Sequence, residues 1–299
     1  MLSKVLKQHR SVDAAKMRPP NFYSEVHKKW AAMVENVNNG SGWKQVTSCP
    51  ACQCEKATYE LTKFDIELVT CSECNLRYHT RIPANNNDIY GDPVYIKGSQ
   101  GVWANDYEYR KERFGRERVG ILSGVIGSLK GLSILDVGCG SGYFLECAEE
   151  EGAICSGLEI SSDIREWTSQ RLGIEIFDRS LEELESDTRY DIITIFDLIE
   201  HVEKPVELLL NANRLLKKNG HIFIYTPNFD SFSIRVMRER SNLICPPSHV
   251  VLFDRMSMEY ALDKAGFRPV FFATCGMDIA DIISMIEDAG STDDTFLVT

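Results

Sequence analysis

The chain has 299 residues, of which 43% are apolar and 26% are charged, and its formal net charge is -11. This length accommodates one domain of about 180 residues plus a smaller module, and the composition excludes a globally disordered chain. No apolar run approaches the ~20 residues of a membrane-spanning helix, so we expect no membrane span. The acidic balance disfavours nucleic acid as a partner, because Lys and Arg must neutralise its phosphates.

The amino-terminal part of the chain contains a charged arm and one predicted helix, which we assign to residues 1–45. Apolar residues recur at helical spacing in YSEVHKKWAAMVENV, and NNGSG (38–42) then ends the helix. The arm has no continuous apolar stretch followed by a cleavage site. Together with ten cysteines that we interpret as thiols, this predicts a cytoplasmic protein in a reducing compartment.

Four cysteines enclose a short β-rich segment that we assign to residues 46–85. Their spacing is C-x2-C-x18-C-x2-C, and two strand-like stretches lie between the pairs. The four are Cys49, Cys52, Cys71 and Cys74. Two such knuckles facing each other are typical of a zinc ribbon, in which four thiolates hold a structural Zn²⁺. Reduced thiols, a redox pair and an iron–sulfur cluster are the alternatives, and Cys54 is an additional thiol nearby.

Residues 86–120 follow as a linker and a helix. Turn-forming residues fill PANNNDIYGDP, and the helical stretch leads into the next domain. The basic cluster YRKERFGRERVG (109–120) is interrupted by acidic residues, so we interpret it as the solvated face of a helix. Three aromatic residues here either pack on the next domain or wall a pocket in it. They are Trp103, Tyr107 and Tyr109.

Strands and helices alternate over residues 121–299, which we assign to a second domain. The strand-like stretches are LSILDVG, ICSGLEI, IEIFD, YDIITIFD, HIFIYTP, RPVFFAT and TFLVT. Because helical segments separate most of them, they predict an α/β fold with a mostly parallel, seven-stranded sheet covered on both faces. Such sheets bind ligands beyond the carboxyl ends of their strands.

A glycine-rich turn follows the first strand of this domain. Gly138, Gly140 and Gly142 alternate with other residues in DVGCGSG, where the backbone can take positive φ or approach a ligand closely. A dinucleotide-binding turn reads G-x-G-x-x-G, but here Tyr143 stands at the third glycine position. Asp136 precedes the turn, where a carboxylate repels a diphosphate but attracts an ammonium group.

The DVGCGSG turn resembles the first motif of class I S-adenosylmethionine-dependent methyltransferases. Residues 189–228 are similar throughout to the subgroup that includes ubiquinone-biosynthesis O-methyltransferases, and residues 248–267 match its H-x3-F step before a helix. The motifs of the first stretch are Asp197 after the fourth strand, the E-H pair at 200–201, the K-P step at 204–205 and LLKKNG at 215–220. The resemblance spans about residues 105–275 and implies a Rossmann-like methyltransferase fold.

The same resemblance implies residue roles. The glycine turn would run beside the methionine and ribose of S-adenosylmethionine, Glu159 would hold the ribose hydroxyls, and FDRS (177–180) would border the adenine. The implied cofactor-binding residues are Asp136, Gly138, Gly140, Gly142, Glu159, Asp178, Ser180 and Asp197. His201 is the candidate catalytic base, because an oxygen acceptor must lose its proton and the imidazole pKa suits this task. Packing or capping of the next helix is its alternative role, and His249 and Asn228 are weaker candidates with structural alternatives.

We therefore expect methyl transfer to a small-molecule acceptor, with a hydroxyl of a sugar or secondary metabolite as the favoured acceptor group. C-methylation of a deoxysugar intermediate, RNA methylation assisted by the zinc module, and non-catalytic binding of S-adenosylmethionine are the alternatives. The zinc module either shapes the acceptor pocket or mediates self-association as a homodimer.

Overall fold

The computed structural model describes residues 13, 20–85, 89, 107–184, 188–276 and 278–290. Its helices are α1 Phe22–Asn39, α2 Tyr107–Arg110, α3 Arg116–Ile126, α4 Tyr143–Glu150, α5 Ser162–Leu172, α6 Pro205–Leu215, α7 Phe232–Met237, α8 Arg255–Lys264 and α9 Asp278–Gly290. Its strands are β1 Trp43–Gln45, β2 Ala57–Lys63, β3 Ile66–Cys71, β4 Arg77–His79, β5 Arg81–Pro83, β6 Ser133–Val137, β7 Ile154–Leu158, β8 Ile176–Phe177, β9 Tyr190–Phe196, β10 Leu216–Tyr225 and β11 Val251–Leu252. Within these ranges, no helix combines the length and apolar character that crossing a bilayer requires.

A five-stranded parallel sheet forms the centre of the larger domain, with the order β10-β9-β6-β7-β8. Strands β6 and β9 are the most buried, because apolar residues such as Ile134, Leu135, Ile192 and Ile193 fill both faces. The chain runs outward from β6 to β8 and then returns to β9 on the other side. This reversal places the topological switch point between the carboxyl ends of β6 and β9.

The prediction of seven strands is wrong for the described residues, whose parallel sheet has five. Residues 268–274, which read RPVFFAT, form no ladder, and Val270 and Phe272 remain 58% and 40% exposed. Strand-like composition is insufficient here, because a strand needs a neighbour to receive its backbone hydrogen bonds. The other expected strand, TFLVT, lies outside the described residues.

The basic cluster at 109–120 is not a solvated helix face, contrary to our interpretation. Lys111, Arg113 and Arg118 are buried, because each cation pairs with a carboxylate. A π-helical segment, Lys111–Gly115, joins α2 to α3. It packs tightly on α4, since a Cβ at Gly115 would lie 2.7 Å from the carbonyl oxygen of Tyr143. Lys111 and Arg118 thus contribute to the contact between residues 107–126 and the domain that contains the parallel sheet.

The cysteine-rich segment folds as a β-ribbon that the larger domain completes. Strands β2 and β3 form a hairpin through Phe64 and Asp65, which both take positive φ, as a two-residue type I′ turn requires. Strand β4 adds to β3, and β11 from the larger domain pairs antiparallel with β4. The resulting sheet has the order β11-β4-β3-β2, and β1 pairs separately with β5. One apolar core therefore runs through both parts of the chain.

Candidate functional site

The glycine turn is anchored to the end of β7 and to α5. The N–H groups of Gly138 and Cys139 both donate to the carbonyl oxygen of Leu158, at 2.8 and 2.9 Å. The hydroxyl of Thr168 donates to the carbonyl oxygen of Gly140 at 2.8 Å. The three predicted glycines have φ of 72°, 53° and 74°, a region that L residues adopt at a cost. The turn is thereby fixed beside the switch point of the sheet.

Glu159 and Asp136 flank the turn. Glu159 Oε2 accepts the N–H of Gly140 at 3.1 Å, and Oε1 accepts the N–H of Ser161 at 2.8 Å. Asp136 is buried, and its Oδ1 accepts the hydroxyl proton of Thr194 at 2.6 Å. Burial raises the pKa of the Glu159 carboxyl above its usual value and raises the pKa of Asp136 to about 7. Asp136 thus changes charge near neutral pH.

A cavity of about 220 Å³ opens at the switch point. Its lining includes Arg110, Arg118, Asp136, Gly140, Tyr143 and Asp197. The cavity therefore presents carboxylates and guanidinium groups together, and the glycine turn forms one of its walls. This combination suits a ligand with an ammonium and a carboxylate on one carbon.

Arg118 is a site residue that the sequence analysis missed. Its Nη2 donates to Oδ2 of Asp197 at 2.6 Å and its Nη1 to the hydroxyl of Tyr143 at 2.8 Å. The guanidinium carbon lies 4.4 Å from the ring centroid of Phe196 and 4.8 Å from that of Tyr225. In the sequence, Arg118 is one of several charged residues in a predicted helix, so only its distant partners Tyr143 and Asp197 identify its position in the site.

Asp197, Glu200 and His201 follow β9, and of these Asp197 lines the cavity. Asp197 has φ of 51°, and a 3-10 turn carries Ile199–His201. Nδ1 of His201 lies 2.9 Å from the carbonyl oxygen of Ser248. Burial lowers the pKa of His201, so its imidazole is neutral at pH 7. A neutral imidazole is the form that a general base requires.

Several nominated residues lie away from this cavity. Asp178 is exposed, and Ser180 donates from its N–H and hydroxyl to Glu183 at 2.9 and 3.0 Å. Tyr107 packs its ring on Arg171, whose guanidinium carbon is 3.5 Å from the ring centroid. Asn228 Oδ1 accepts the N–H of Asp230 at 3.1 Å, which is a turn interaction. Trp103 lies outside the described residues.

The four nominated cysteines come together at one end of the ribbon. All four Sγ atoms lie within 4.8 Å of one another, and those of Cys49–Cys74 and of Cys52–Cys71 are each 3.4 Å apart. A disulfide would hold two sulfurs at about 2.05 Å. Zinc–sulfur bonds of about 2.3 Å in a tetrahedron separate the sulfurs by about 3.8 Å. The cluster fits a four-thiolate metal site, whereas Cys54 is outside it and its Sγ hydrogen-bonds with the backbone of Lys56.

The two knuckles have matching backbone geometry. The N–H of Cys49 donates to the carbonyl of Cys54, and the N–H of Cys71 donates to that of Leu76, each at 2.9 Å. The residue after each second cysteine, Gln53 or Asn75, has φ of 63°. Two equivalent turns that direct four thiols inward are the arrangement that a closed tetrahedral site requires.

Residues 108–270 match a family model described as "Methyltransferase domain". This chain belongs to the methyltransferase domain family. The match contains every residue nominated for the donor site and His201, and it excludes the four cysteines. The cavity lies within the matched region, where the parallel sheet reverses its strand order, and the four cysteines of the ribbon lie outside that region.

Curated relatives of the methyltransferase domain include ubiquinone biosynthesis O-methyltransferases. The protein of Coxiella burnetii (strain Dugway 5J108-111) is 36% identical over 107 residues, which are 34% of this chain and 46% of the relative. That of Cronobacter sakazakii (strain ATCC BAA-894) is 29% identical over 153 residues, which are 48% and 63%. The chain spans about half the length of the curated relatives it matches.

Two solved structures illustrate the structural similarity. The plantazolicin methyltransferase BpumL in complex with SAH has a TM-score of 0.48 at 20% identity, covering 70% of this chain and 87% of that one. Streptomyces venezuelae DesVI has a TM-score of 0.39 at 20% identity, covering 44% and 58%.

Proposed function

We propose that this protein transfers the methyl group of S-adenosylmethionine to a hydroxyl oxygen of a small-molecule acceptor of sugar or secondary-metabolite type. The cavity at the switch point carries the proposal, because a glycine turn, a buried carboxylate and a buried guanidinium surround it within the family-matched region. The name of the relatives, O-methyltransferase, supports oxygen as the acceptor atom. The net charge of -11 supports a small molecule rather than nucleic acid.

The cavity suits the amino-acid end of the methyl donor because it offers both signs of charge. When bound, S-adenosylmethionine supplies a methyl group that is already electrophilic on a positively charged sulfur. Asp136 would attract the ammonium group, and Arg118 would attract the carboxylate. Glu159 would accept hydrogen bonds from the ribose hydroxyls, because a carboxylate oxygen that accepts a backbone N–H can accept a further donor. Asp178 and Ser180 remain the proposed border of the adenine.

His201 is the proposed catalytic residue at the acceptor end. The carbonyl oxygen of Ser248 can only accept, so Nδ1 of the neutral ring carries the proton and Nε2 carries the lone pair. That lone pair can assist removal of the proton from an acceptor hydroxyl. Orientation of the acceptor against the methyl group supplies the larger part of the acceleration, up to ~7–11 kcal/mol.

The test combines donor binding with turnover. We expect calorimetry to show one molecule of S-adenosylhomocysteine bound per chain, and a panel of hydroxylated sugars and metabolites to include a methyl acceptor. His201→Ala should lower kcat by about 10²–10⁴ and leave affinity for S-adenosylhomocysteine unchanged. His221→Ala, on the far part of β10, is the matched control. Absence of donor binding at millimolar concentration would contradict the proposed function.

We further propose that the cysteine cluster holds a structural Zn²⁺ and that the protein is cytoplasmic. The convergence of four thiols supports the metal, and ten cysteines in one chain support a reducing compartment. Cover of the acceptor pocket by residues 46–85 and self-association as a homodimer remain the two proposed roles of the ribbon.

A further inference from the structure

The ring of His201 is contacted by a segment that lies 47 residues further along the chain. Its Nδ1 is 2.9 Å from the carbonyl oxygen of Ser248 and 3.1 Å from the hydroxyl oxygen of the same residue. The ring of His249 meets that of His201 edge to face, at 78° and with the centroids 4.8 Å apart. Both contacts come from residues 241–250, which we call the support segment. The orientation of the proposed base therefore depends on where the support segment lies.

The backbone of the support segment is restrained from within. Its two consecutive prolines, at 246–247, each have a fixed φ. The carbonyl oxygen of Cys245 accepts the N–H groups of Ser248 and His249, at 3.0 and 2.7 Å. Nδ1 of His249 is 2.7 Å from the carbonyl oxygen of Leu243, so its ring is tied to the same segment. We therefore expect a displacement at one end of the support segment to reach Ser248 and His249.

Lys63, the last residue of β2 in the ribbon, holds the first residue of the support segment. Lys63 is buried, and its Nζ donates to the carbonyl oxygen of Ser241 at 2.8 Å. Burial lowers the pKa of the ammonium group to about 8, so the group is still charged at pH 7. A charged donor makes a hydrogen bond roughly twice as strong as a neutral one does. In addition, Ile244 packs in one apolar cluster with Leu61 and Leu68 of the ribbon hairpin. The ribbon thus fixes the beginning of the support segment.

The ribbon also holds the end of the support segment, through β4. The N–H of His79 in β4 donates to the carbonyl oxygen of Val250 at 3.2 Å, and the N–H of Val250 donates to the carbonyl oxygen of Glu200 at 2.8 Å. Because Glu200 immediately precedes His201, two backbone hydrogen bonds in series connect β4 to the turn that carries the base. Strand β4 then pairs with β11, which begins at the next residue, Val251. The ribbon is therefore bonded to the support segment at both of its ends.

We infer that the ribbon is a positioning element for catalysis, in which Lys63 and β4 hold the support segment and Ser248 in that segment holds the ring of His201. This inference rests on the proposed function, in which His201 removes the proton of the acceptor hydroxyl. A neutral imidazole has two tautomers, and donation from Nδ1 to the carbonyl oxygen of Ser248 selects the one whose lone pair is on Nε2. Lys63 and Ser248 are positioning residues, because they act on the acceptor only through His201.

The carbonyl oxygen of Ser248 also affects the strength of the base. Burial lowers the pKa of His201, whereas the hydrogen bond to this carbonyl raises it, because the carbonyl stabilises the protonated ring. Loss of the contact should therefore lower the pKa of His201 further and weaken the base. Among the described residues, the titratable groups that act on the ring are Glu200, whose Oε1 is 3.9 Å from Nε2, together with His249 and Asp197. A substitution in the ribbon alters none of these groups, so a shift in the pH profile reports the contact with Ser248.

Nitrogen NMR of the histidine rings tests this inference without turnover. Full-length protein is labelled with ¹⁵N at its six histidines, and His201→Ala identifies the signals of that ring. At a pH where His201 is neutral, the unmodified protein should show one tautomer there, protonated at Nδ1. Lys63→Met removes the ammonium group and should move the two ring nitrogen signals toward each other, because both tautomers become populated. Lys56→Met removes an exposed lysine of the same ribbon, and as the matched control it should give the spectrum of the unmodified protein.

Turnover and affinity for S-adenosylhomocysteine are measured on the same variants. Lys63→Met should lower kcat about 10- to 100-fold and move the acid limb of the pH profile to lower pH, with affinity for S-adenosylhomocysteine unchanged. One unchanged tautomer in folded Lys63→Met, or mixed tautomers without a fall in kcat, would overturn the inference and leave the proposed function intact. Where Lys63→Met melts below the assay temperature, Lys63→Gln replaces it, because glutamine keeps an N–H donor but is one atom shorter. A protein that binds no S-adenosylhomocysteine contradicts the proposed function, whereas the ring signals still report whether the ribbon orients His201.

Discussion

Asp136 illustrates how burial gives a familiar residue an unusual charge state. In the sequence Asp136 precedes the glycine turn, and in the structure it lies in β6, beside β9 and the cavity. Its one described hydrogen-bond donor is the hydroxyl of Thr194, which is too weak to offset the lost hydration. The pKa of Asp136 therefore rises to about 7, and the protonated and ionised forms coexist at neutral pH.

This charge state predicts a pH-dependent affinity for the methyl donor. The ammonium group of the ligand prefers the ionised carboxylate, so affinity should be low below the pKa and should increase as the pH rises through about 7. Between pH 6 and pH 8, the ionised fraction rises about tenfold, which limits the gain in affinity for S-adenosylhomocysteine to about tenfold. Calorimetric titrations at the two pH values measure it.

Asp136→Asn is the matched control for this prediction, because it keeps the side-chain shape and can still accept from Thr194. Titration of the ligand's own amino group affects both proteins alike, so the difference between them isolates Asp136. Equal pH dependence in the two proteins would show that Asp136 does not contact the ligand's charge.

Arg118 marks the limit of residue-scale prediction from the sequence. The sequence identifies the glycines, Glu159 and Asp197 because each stands directly after a strand, where the position in the fold follows from the motif. The role of Arg118 depends on Tyr143 and Asp197, which are 25 and 79 residues away along the chain. Its local surroundings are charged, and only the tertiary contacts turn that charge inward.

At the scale of the turn and its neighbouring helix, Gly142 and Gly173 both have positive φ but differ in the space around them. A Cβ at Gly142 would lie 2.6 Å from Cδ1 of Leu172 and 2.7 Å from Cγ2 of Thr168, and φ there is +74°. Gly173, with φ of +68°, has no atom within 4 Å of such a Cβ. Substitution by Ala strains the left-handed backbone at both positions, but only at Gly142 does the added Cβ collide with side chains of α5.

We therefore predict that Gly173→Ala costs about 1–2 kcal/mol of unfolding free energy, from its backbone alone. Gly142→Ala should cost a further ~1–3 kcal/mol, because Thr168 must move while it holds Gly140. Urea unfolding measures both free energies, and affinity for S-adenosylhomocysteine should fall only in Gly142→Ala. A similar loss of stability in the two variants would contradict the steric explanation.

The ribbon provides a second matched pair, because two nearby cysteines have different surroundings. Cys71 belongs to the four-thiol cluster and Cys54 does not. Cys71→Ser should reduce bound zinc well below one equivalent and lower the melting temperature, since a structural zinc contributes ~10–16 kcal/mol to folding. Cys54→Ser should keep its zinc. Metal analysis after purification without chelator distinguishes them, and full zinc occupancy in Cys71→Ser would contradict the assignment.

Element prediction succeeds where local pattern determines the structure and fails where a distant partner does. The helical segment expected between the strand-like stretches ICSGLEI and IEIFD is α5 Ser162–Leu172, and the two strand-like stretches between the cysteine pairs form the β2–β3 hairpin. Strand β11 has only two residues, and its one partner among the described strands is β4, which lies in the other part of the chain and also pairs with β3. RPVFFAT shows the converse case, a strand-like stretch without a neighbour.

At the scale of the whole molecule, the ribbon and the methyltransferase domain share one structural unit. The guanidinium of Arg77 in β4 forms a buried ion pair with Asp254, which also caps α8 by accepting the N–H of Ser257 at 2.8 Å. Breaking one side of a buried pair leaves an uncompensated charge, typically at a cost of about 3–5 kcal/mol. Unfolding of the ribbon should therefore also destabilise α8 of the larger domain.

We predict that removing zinc with a chelator increases hydrogen exchange in residues 251–264, which contain β11 and α8. Strand β6 at the centre of the parallel sheet should keep its protection, and it serves as the internal control. Mass spectrometry of proteolytic peptides from treated and untreated protein measures both regions. Unchanged exchange at 251–264 after complete zinc removal would show that the ribbon is energetically independent.

The pairing of β11 with β4 also imposes an order in time on the growing chain. During synthesis, β4 leaves the ribosome about 170 residues before Val251 and Leu252. At ~5–20 residues per second, the ribbon waits roughly 10–30 s with one strand edge unpaired. An open edge can pair with other chains, so the ribbon is most exposed to misassembly in that interval. Early metal capture by its thiols would limit that risk by fixing the hairpin before its last strand arrives.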